Sequence, residues 1–349
     1  MLHGFINLNK ALSWTSHDCV ARVRRLLNTK KVGHGGTLDP LASGVLPIAI
    51  GRATRLLPYL PSSKAYRAVI RFGVTTTTDD LEGDVITQKP AAHLSRQRVE
   101  AVLSQFVGTI EQRPPMYSAI QVDGKRLYDL ARKGKTAEVP MRQVTIRQLI
   151  SRSWTAGEQP ELTLDVDCGP GTYIRSLARD LGETLGTGAT LAELCRTHSN
   201  GFDLARSLTL EALETAIEAG TFEPVAAGDV MNHLDAIALP PSLALRWRMG
   251  QKLALRDVLP TNLNLADKLT AFNGEPDTYP LRILSTDTRT FLGIGEIREG
   301  FKPKPANPKP ANPDPANPDP ANSKPANPTE ELLPTGKILA PKRVFLAVD

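Results

Sequence analysis

Residues 302–328 cannot contribute to a core. The stretch holds ten of the chain's 28 prolines and contains no Val, Ile, Leu, Met, Phe, Trp or Tyr. From Lys304 to Pro328 it repeats in fives: KPANP, KPANP, DPANP, DPANS, KPANP. With no apolar surface to bury, nothing offsets the entropy of ordering it, so the sequence predicts a disordered, extended tract. Proline at every second or third place biases it towards polyproline II. At ~3.1 Å per residue it could reach roughly 80 Å. It suits a docking arm for a partner, but a loop expansion is the favoured reading, because lengthening a loop a few-fold costs only about 1 kcal/mol of closure entropy. Any fold must therefore come from the other 322 of the 349 residues (349 − 27).

Those residues describe a globular protein. The chain is 23% charged and 41% hydrophobic, and no 18-residue apolar run is present, so no membrane-spanning helix is expected. Met1 to Lys10 has no charged region leading into a long apolar core, so no signal peptide is expected. Three widely spaced cysteines, Cys19, Cys168 and Cys195, exclude a disulfide framework and fit a reducing, cytoplasmic setting. The length suggests one large domain and a smaller one.

The net charge of +5 hides an asymmetry. Residues 1–150 carry 22 basic and 11 acidic side chains, net +11; residues 151–300 carry 13 and 21, net −8; the rest carry 7 and 5, net +2. A basic half beside an acidic half suggests a face built for a polyanion such as a nucleic acid.

Helical and strand periodicities alternate along the chain. Ser16 is a plausible N-cap, with Asp18 in the first turn and Val20, Val23 and Leu27 at helical spacing. Arg22, Arg24 and Arg25 give that helix a basic face. Tyr66, Ala68, Ile70 and Phe72 alternate with Arg67, Val69 and Arg71, the pattern of a strand. A helix is predicted over 95–108, with Val99, Val102, Leu103 and Phe106 inward and Gly108 as its stop. Leu162, Leu164 and Val166 form a strand that Gly169-Pro170-Gly171 breaks, and Ile174, Leu177, Ala178 and Leu181 begin a helix. Asp165 and Asp167 read as the close of that strand. Another helix is expected near Thr209 to Gly220. Beyond Pro240-Pro241, strands are predicted at 281–285, 291–297 and 344–348, the proline tract falling between the last two. The result is a mixed α+β domain over 1–235 and a small β-rich domain over 240–349.

Several chemistries lack their signatures. No two histidines lie three to five residues apart and no Cys-x-x-Cys occurs, so no zinc site is expected. There is no Gly-x-x-x-x-Gly-Lys-Ser/Thr loop, and no Gly-x-Gly-x-x-Gly after a strand. The densest segment runs from Lys30 to Pro47. Gly33, Gly35, Gly36 and Gly44 allow left-handed backbone and close approach to a ligand. Among them stands one acid, Asp39, which Pro40 restricts to extended geometry. A lone carboxylate on a rigid loop is a candidate nucleophile or general base; the same residues also suit a surface Asp-Pro turn.

The segment Gly33-His34-Gly35-Gly36-Thr37-Leu38-Asp39-Pro40-Leu41-Ala42-Ser43-Gly44-Val45-Leu46 closely resembles the catalytic motif of the bacterial tRNA pseudouridine synthase B family. Further motifs follow in order. Lys64-Ala65-Tyr66-Arg67-Ala68 resembles the family's Lys-x-Tyr strand. The segments 113–119 and 124–128 resemble its RNA-pinching insertion, placed at about 110–145. Gly171 to Gly182 resembles its arginine motif, Leu191 to Arg196 its Leu-Arg segment, and 291–296 with 336–345 its C-terminal RNA-binding domain. The likeness covers nearly the whole chain except 302–328. Where the family usually has Lys-Pro-x-Gly-x-Thr-Ser, this chain has Lys10-Ala11-Leu12-Ser13-Trp14-Thr15-Ser16, so Ala11 and Ser13 replace a proline and a glycine.

The resemblance implies a pseudouridine synthase fold, a largely antiparallel mixed sheet flanked by helices, with a PUA-like C-terminal domain. It implies isomerisation of the uridine at position 55 in the tRNA T arm, without metal or cofactor. Asp39 would be the nucleophile. Tyr66 would stack on the flipped base, His34 would fill the vacated space, and Arg175 would pair with Asp39 and hold it ionised. Tyr173 and Leu194 would line the uracil pocket. Lys64, Arg67, Lys125 and Arg126 would contact RNA. The expected partner is the T stem-loop of tRNA, with no guide RNA or obligate protein, and the enzyme would be a monomer.

Overall fold

In a computed structural model of the chain, residues 2–118, 121–122, 125–126, 139–258, 280–299 and 337–345 are described. The proline tract lies outside them. The chain divides into two compact units, Met1–Ala226 and Ala227–Asp349, a division ahead of the boundary expected near 235.

The strands of the first unit are β1 (Gly4–Lys10), β2 (Val32–His34), β3 (Ala42–Ile50), β4 (Lys64–Phe72), β5 (Val74–Thr76), β6 (Val85–Gln88), β7 (Gly108–Gln112), β8 (Gln121–Val122), β9 (Lys125–Arg126), β10 (Arg142–Thr155), β11 (Glu161–Cys168), β12 (Ala189–Ser199) and β13 (Phe202–Asp203). Its main helices are α1 (Ser16–Leu26), α2 (Arg96–Leu103), α3 (Ile174–Thr184) and α4 (Leu210–Glu218). The nine-stranded sheet runs β1-β3-β12-β4-β11-β10-β7, with β2 beside β3 and β13 beside β12. Each neighbouring pair in it is antiparallel except β3–β12, which sets Leu194 opposite Ala42, Cys195 opposite Ser43 and Arg196 opposite Gly44. That parallel pair seats the start of β3, just after Asp39, against the Leu-Arg segment.

Alternation decides which face is buried. Along β4, Tyr66, Ala68, Ile70 and Phe72 turn into one cluster with Leu162, Leu164 and Val166 of β11. Ile174, Leu177, Ala178 and Leu181 of α3, and Val99 and Leu103 of α2, cover them. A second cluster joins Cys19, Val20 and Val23 of α1 and Leu210 and Leu213 of α4 to Ile6, Leu8, Leu46, Ile48 and Ile50. At roughly 1.5–3 kcal/mol per fully buried large side chain, these two clusters supply the main stabilisation of the unit.

Local chemistry departs from the sequence expectations at three places. Thr15, not Ser16, caps α1: its hydroxyl accepts from the Asp18 N–H at 3.0 Å, and the Asp18 carboxylate answers the Thr15 N–H at 3.0 Å. Ser16 turns inward and is buried. The basic face of α1 is partly consumed, since Arg22 forms a bidentate pair with Glu214 of α4 at 2.5 and 2.6 Å. The predicted 95–108 helix is a shorter α2 capped by Ser95, then a 3-10 turn over 104–106, and Gly108 opens β7 with φ +101°.

In the second unit, β14 (Ala236–Leu239), β15 (Leu253–Ala254), β16 (Pro280–Ser285), β17 (Phe291–Glu299) and β18 (Lys337–Val344) form a sheet ordered β14-β16-β17-β18-β15. The helix α5 (Pro241–Arg248) sends the fully buried Trp247 into a core with Leu281, Ile283, Leu292, Ile297 and Leu339. The last strand therefore ends at Val344, where the sequence pattern had placed its start. Pro341-Lys342-Arg343 hides the alternation, and a register shift opposite Ile294/Gly295 accommodates the interruption. Residues 346–349 fall outside the described set.

Candidate active site

The glycine-rich loop, residues 35–41, joins β2 to β3, which pair antiparallel with His34 opposite Ile48. Its carbonyls are taken up one after another by groups distant in sequence. The fully buried Arg196 donates to Gly36 O at 3.1 Å, Thr37 O at 3.1 Å and Val45 O at 2.7 Å. Ser16 Oγ donates to Leu38 O at 3.1 Å and accepts from Leu38 N at 2.9 Å. Pro40 O receives Ser13 N at 2.9 Å and the buried Lys10 Nζ at 3.4 Å. The residues on both sides of Asp39 are thus held while its own carboxylate stays 38% exposed.

Two of the four glycines are conformational requirements. Gly36 has φ +137° and Gly44 has φ +104°, and a Cβ on Gly44 would meet Arg196 O at 2.3 Å. Gly33 and Gly35 instead keep space for Leu57 and Leu60.

Arg175 lies in the first turn of α3, its side chain only 6% exposed. It meets Asp39 Oδ2 at 2.8 Å and Asp80 Oδ2 at 3.3 Å, and donates to Tyr117 O at 3.0 Å and Thr78 O at 3.3 Å. A buried guanidinium is costly unless each donor finds an acceptor, and here both carboxylates and two carbonyls serve it. Asp80 is itself buried and accepts from Thr78 Oγ1 at 2.5 Å and the Glu82 N–H at 3.1 Å. Lys10 adds a second cation within reach of Asp39, its ammonium pulled below the usual lysine range by burial.

The apolar wall beside this pair is built by β3, β4 and β12. Leu38, Ala42, Tyr66, Ile174 and Leu194 belong to one buried cluster. Arg196 sits opposite Tyr66, and Leu194 opposite Ala68. The Tyr66 phenol is pushed upward in pKa by burial, which keeps the ring neutral at physiological pH. Tyr173 precedes α3 and is half-buried; Gln112 fixes it by accepting from its N–H at 2.8 Å and donating to its carbonyl at 3.0 Å. His34 accepts the Gly36 N–H on Nδ1 at 3.3 Å and meets His17 edge-on at 5.9 Å between ring centroids. Burial, then the charges of His17 and Arg196, hold the His34 imidazole below its ordinary pKa, so it is neutral at pH 7.

Of the expected RNA contacts, Lys64 shares the Tyr66 face of β4, and its Nζ lies 3.4 Å from where a Gly36 Cβ would stand. Arg67 points to the opposite face. There Asp165 receives it at 2.8 and 3.1 Å and also receives Arg152 at 2.7 Å, while Asp167 pairs with Arg147. The structure therefore does not bring Arg67 to Asp39. Backbone pairing puts Lys125 and Arg126 in the short β8–β9 hairpin; their side chains lie outside the described residues. Asp80, Lys10 and Gln112 had no role in the sequence reading, and Ser16 entered it only as a helix cap. Asp80 is hidden in the run TTTTDDLEGD, which reads equally well as a turn. Among the described residues, no group of three or more His, Cys, Asp or Glu is placed to hold a metal, and no helix is long and apolar enough to cross a membrane.

Comparison with known proteins finds relatives along most of the chain. Residues 24–174 match the TruB family pseudouridylate synthase N-terminal domain, 175–245 the tRNA pseudouridylate synthase B C-terminal domain, and 236–304 the Pseudouridine synthase II TruB C-terminal domain. The tRNA pseudouridine synthase B of Trichormus variabilis is 54% identical over 299 residues, covering 86% of this chain and 96% of that protein. The Synechocystis protein of the same name is 56% identical over 258 residues, 74% of this chain and 87% of its own. Among solved structures, an H/ACA RNP bound to a substrate RNA containing 2'-deoxyuridine shares the fold, with TM-score 0.63 and 22% identity over 98% of this chain and 84% of that one. A Cbf5-Nop10-Gar1 complex matches at TM-score 0.59 and 26% identity, covering 84% and 78%. With half its residues shared along most of its length, the chain belongs to the TruB family of pseudouridylate synthases.

Proposed function

We propose that the protein isomerises uridine to pseudouridine at position 55 in the T arm of tRNA, with Asp39 as its catalytic carboxylate. The observation that carries this reading is the Arg175–Asp39 pair at 2.8 Å, which presents a half-exposed carboxylate beside the Tyr66 and Leu194 wall.

The reaction breaks the N1–C1′ bond and forms a C5–C1′ bond. C5 releases its proton and N1 gains one, so there is no net redox change and no energy source is needed. The target base must leave its stack, at a cost of a few kcal/mol, and enter a pocket that excludes water. Tyr66 offers a flat neutral ring against the flipped uracil, the usual way of holding an unstacked base. Leu194 and Tyr173 close the pocket, and His34 fills the space left in the RNA. Arg175 pairs with Asp39 and aims it, and Asp80 fixes Arg175 from its other side. Asp39 serves as the nucleophile of the cycle. Lys64 meets RNA at the loop, Lys125 and Arg126 contact it from the insertion, and the second unit acts as a PUA-like RNA-binding domain. The protein works in the cytoplasm as a monomer, on tRNA alone, without guide RNA; the relatives' name, tRNA pseudouridine synthase B, supports tRNA as its substrate.

The test uses tRNA labelled with tritium at C5 of uridine. Wild-type protein releases the label, and Asp39→Asn binds tRNA but does not. Equal release by both removes Asp39 from the mechanism. Binding without release by either makes the protein an RNA-binding module, and mapping the modified nucleotide tests the T-arm assignment.

A further inference from the structure

The carboxylate that backs Arg175 is itself held by a residue to which the reaction above gives no role. Arg175 Nη1 is shared between Asp80 Oδ2 at 3.3 Å and Thr78 O at 3.3 Å, while Nη2 meets Asp39 Oδ2 at 2.8 Å. Thr78 Oγ1 donates to the other oxygen of Asp80, Oδ1, at 2.5 Å. One residue therefore touches both the guanidinium and the carboxylate behind it. The turn that carries Thr78 is fixed on each side. Asp79 adopts φ +63°, a left-handed conformation disfavoured for any residue with a Cβ. Arg179 Nη1 holds it there through its carboxylate at 2.8 Å, and Leu191 N through its carbonyl at 3.0 Å. Thr76 Oγ1 donates to Asp80 O at 2.6 Å. A Cβ on Gly83 would meet Thr78 Oγ1 at 2.3 Å, so the glycine leaves that hydroxyl its room.

The last torsion of an aspartate is soft, so a carboxylate held on one oxygen alone can swing. At Asp80 the Thr78 hydroxyl and the Glu82 N–H, at 3.1 Å, both bind Oδ1 and set the plane in which Oδ2 meets Arg175. The guanidinium is a rigid planar fork, so a shift at Nη1 is carried to Nη2 and the Asp39 carboxylate. We propose that Thr78 is a positioning residue for the isomerisation: through Asp80 it fixes the plane of Arg175, and so the direction of the Asp39 carboxylate. The inference rests on the proposed reaction at Asp39. It goes beyond that reading by placing part of the control on a hydroxyl two contacts removed from the reacting group.

The test compares Thr78→Ala, Thr78→Ser, Asp80→Asn and the double variant Thr78→Ala/Asp80→Asn. Release of tritium from C5 of tRNA uridine gives kcat and KM, and tRNA affinity and the thermal midpoint are measured on the same samples. Thr78→Ala should lower kcat by about 10-fold, less than the ~10²-fold that a full ångström of displacement at a reacting group costs. KM and tRNA affinity should stay within about 2-fold of wild type. Thr78→Ser keeps the hydroxyl and should retain kcat within about 2-fold. In the Asp80→Asn background, Thr78→Ala should change kcat by less than about 2-fold, because the link from Thr78 to Arg175 is already broken. Should Thr78→Ala fail to fold, Thr78→Val, which keeps the branched stem, takes its place. Should Asp80→Asn release too little label for the cycle, the contrast between alanine and serine decides. A wild-type kcat without the hydroxyl, the same fold loss in both backgrounds, or no rescue by serine overturns the inference and leaves Asp39 in its role. A wild-type protein that releases no label overturns the proposed function, and the inference with it.

Discussion

Replacing Arg196 by methionine keeps much of the side-chain stem and removes the guanidinium that ties β12 to the Asp39 loop. Three hydrogen bonds to backbone carbonyls disappear: to Val45 O at 2.7 Å, and to Gly36 O and Thr37 O at 3.1 Å each. Their costs differ. Val45 is fully buried, so its carbonyl is left without water and costs about 1–3 kcal/mol. Thr37 is exposed and Gly36 half-exposed, so water can replace those bonds, at about 0.5–1 kcal/mol each. Removing a buried charge refunds part of this. The net loss is about 2–3 kcal/mol, or roughly 4–12 °C in the unfolding midpoint for a unit of this size. The activity loss should be larger than the stability loss suggests. The loop backbone at 36 and 37 relaxes just ahead of Asp39, and a displacement of ~1 Å at a reacting group costs on the order of 10²-fold in rate. Thermal unfolding and C5-tritium release, both measured well below the midpoint, check this. A midpoint within about 1 °C of wild type would refute the energetic argument. A normal kcat in a destabilised variant would show that Arg196 supports the fold without aiming the loop.

Two further outcomes follow from strained or buried groups. Ser13 adopts φ +65°, at the position where the family usually has glycine, so Ser13→Gly should relieve ~1–2 kcal/mol of left-handed strain. Against this stands an added backbone entropy of about 0.5–1 kcal/mol; the midpoint should rise by a few degrees at most, and a fall in scanning calorimetry sinks the strain argument. His34 has a folded-state pKa below its unfolded value of 6.5, so it takes up a proton more readily when unfolded. Its contribution to stability is therefore complete above about pH 6.5 and shrinks as the pH falls through that value. Denaturant titrations should show wild type losing stability from pH 7 to 5 faster than His34→Asn, and parallel profiles would count against a depressed His34.

Much of the local architecture was legible because period-2 and period-3.6 patterns report which face an element buries. The alternation at 66–72 and 162–166 corresponds to β4 and β11, and the apolar spacing from Ile174 to Leu181 corresponds to α3. Patterns did not resolve choices between chemically equal neighbours. Thr15 and Ser16 can both cap a helix, and only the position of Leu38 makes Ser16 the one that turns inward. A strand interrupted by Pro341-Lys342-Arg343 was equally opaque, since its register depends on the partner strand.

By itself, then, the sequence determined the mixed α+β class, the glycine-rich loop that bears Asp39 and the likeness to a family of RNA-modifying enzymes. These depend on composition, short-range spacing and motif order. Tertiary structure alone decided that Arg175 stands between Asp39 and Asp80, that Arg196 and Ser16 hold the loop, and that Arg67 faces away from it. The physical reason is the parallel pairing of β3 with β12, which joins Gly44 to Arg196 across a long separation in sequence. No local periodicity encodes such a pairing. It arises when both apolar faces of the sheet are covered at once, and the polar groups that shape the site are fixed only then.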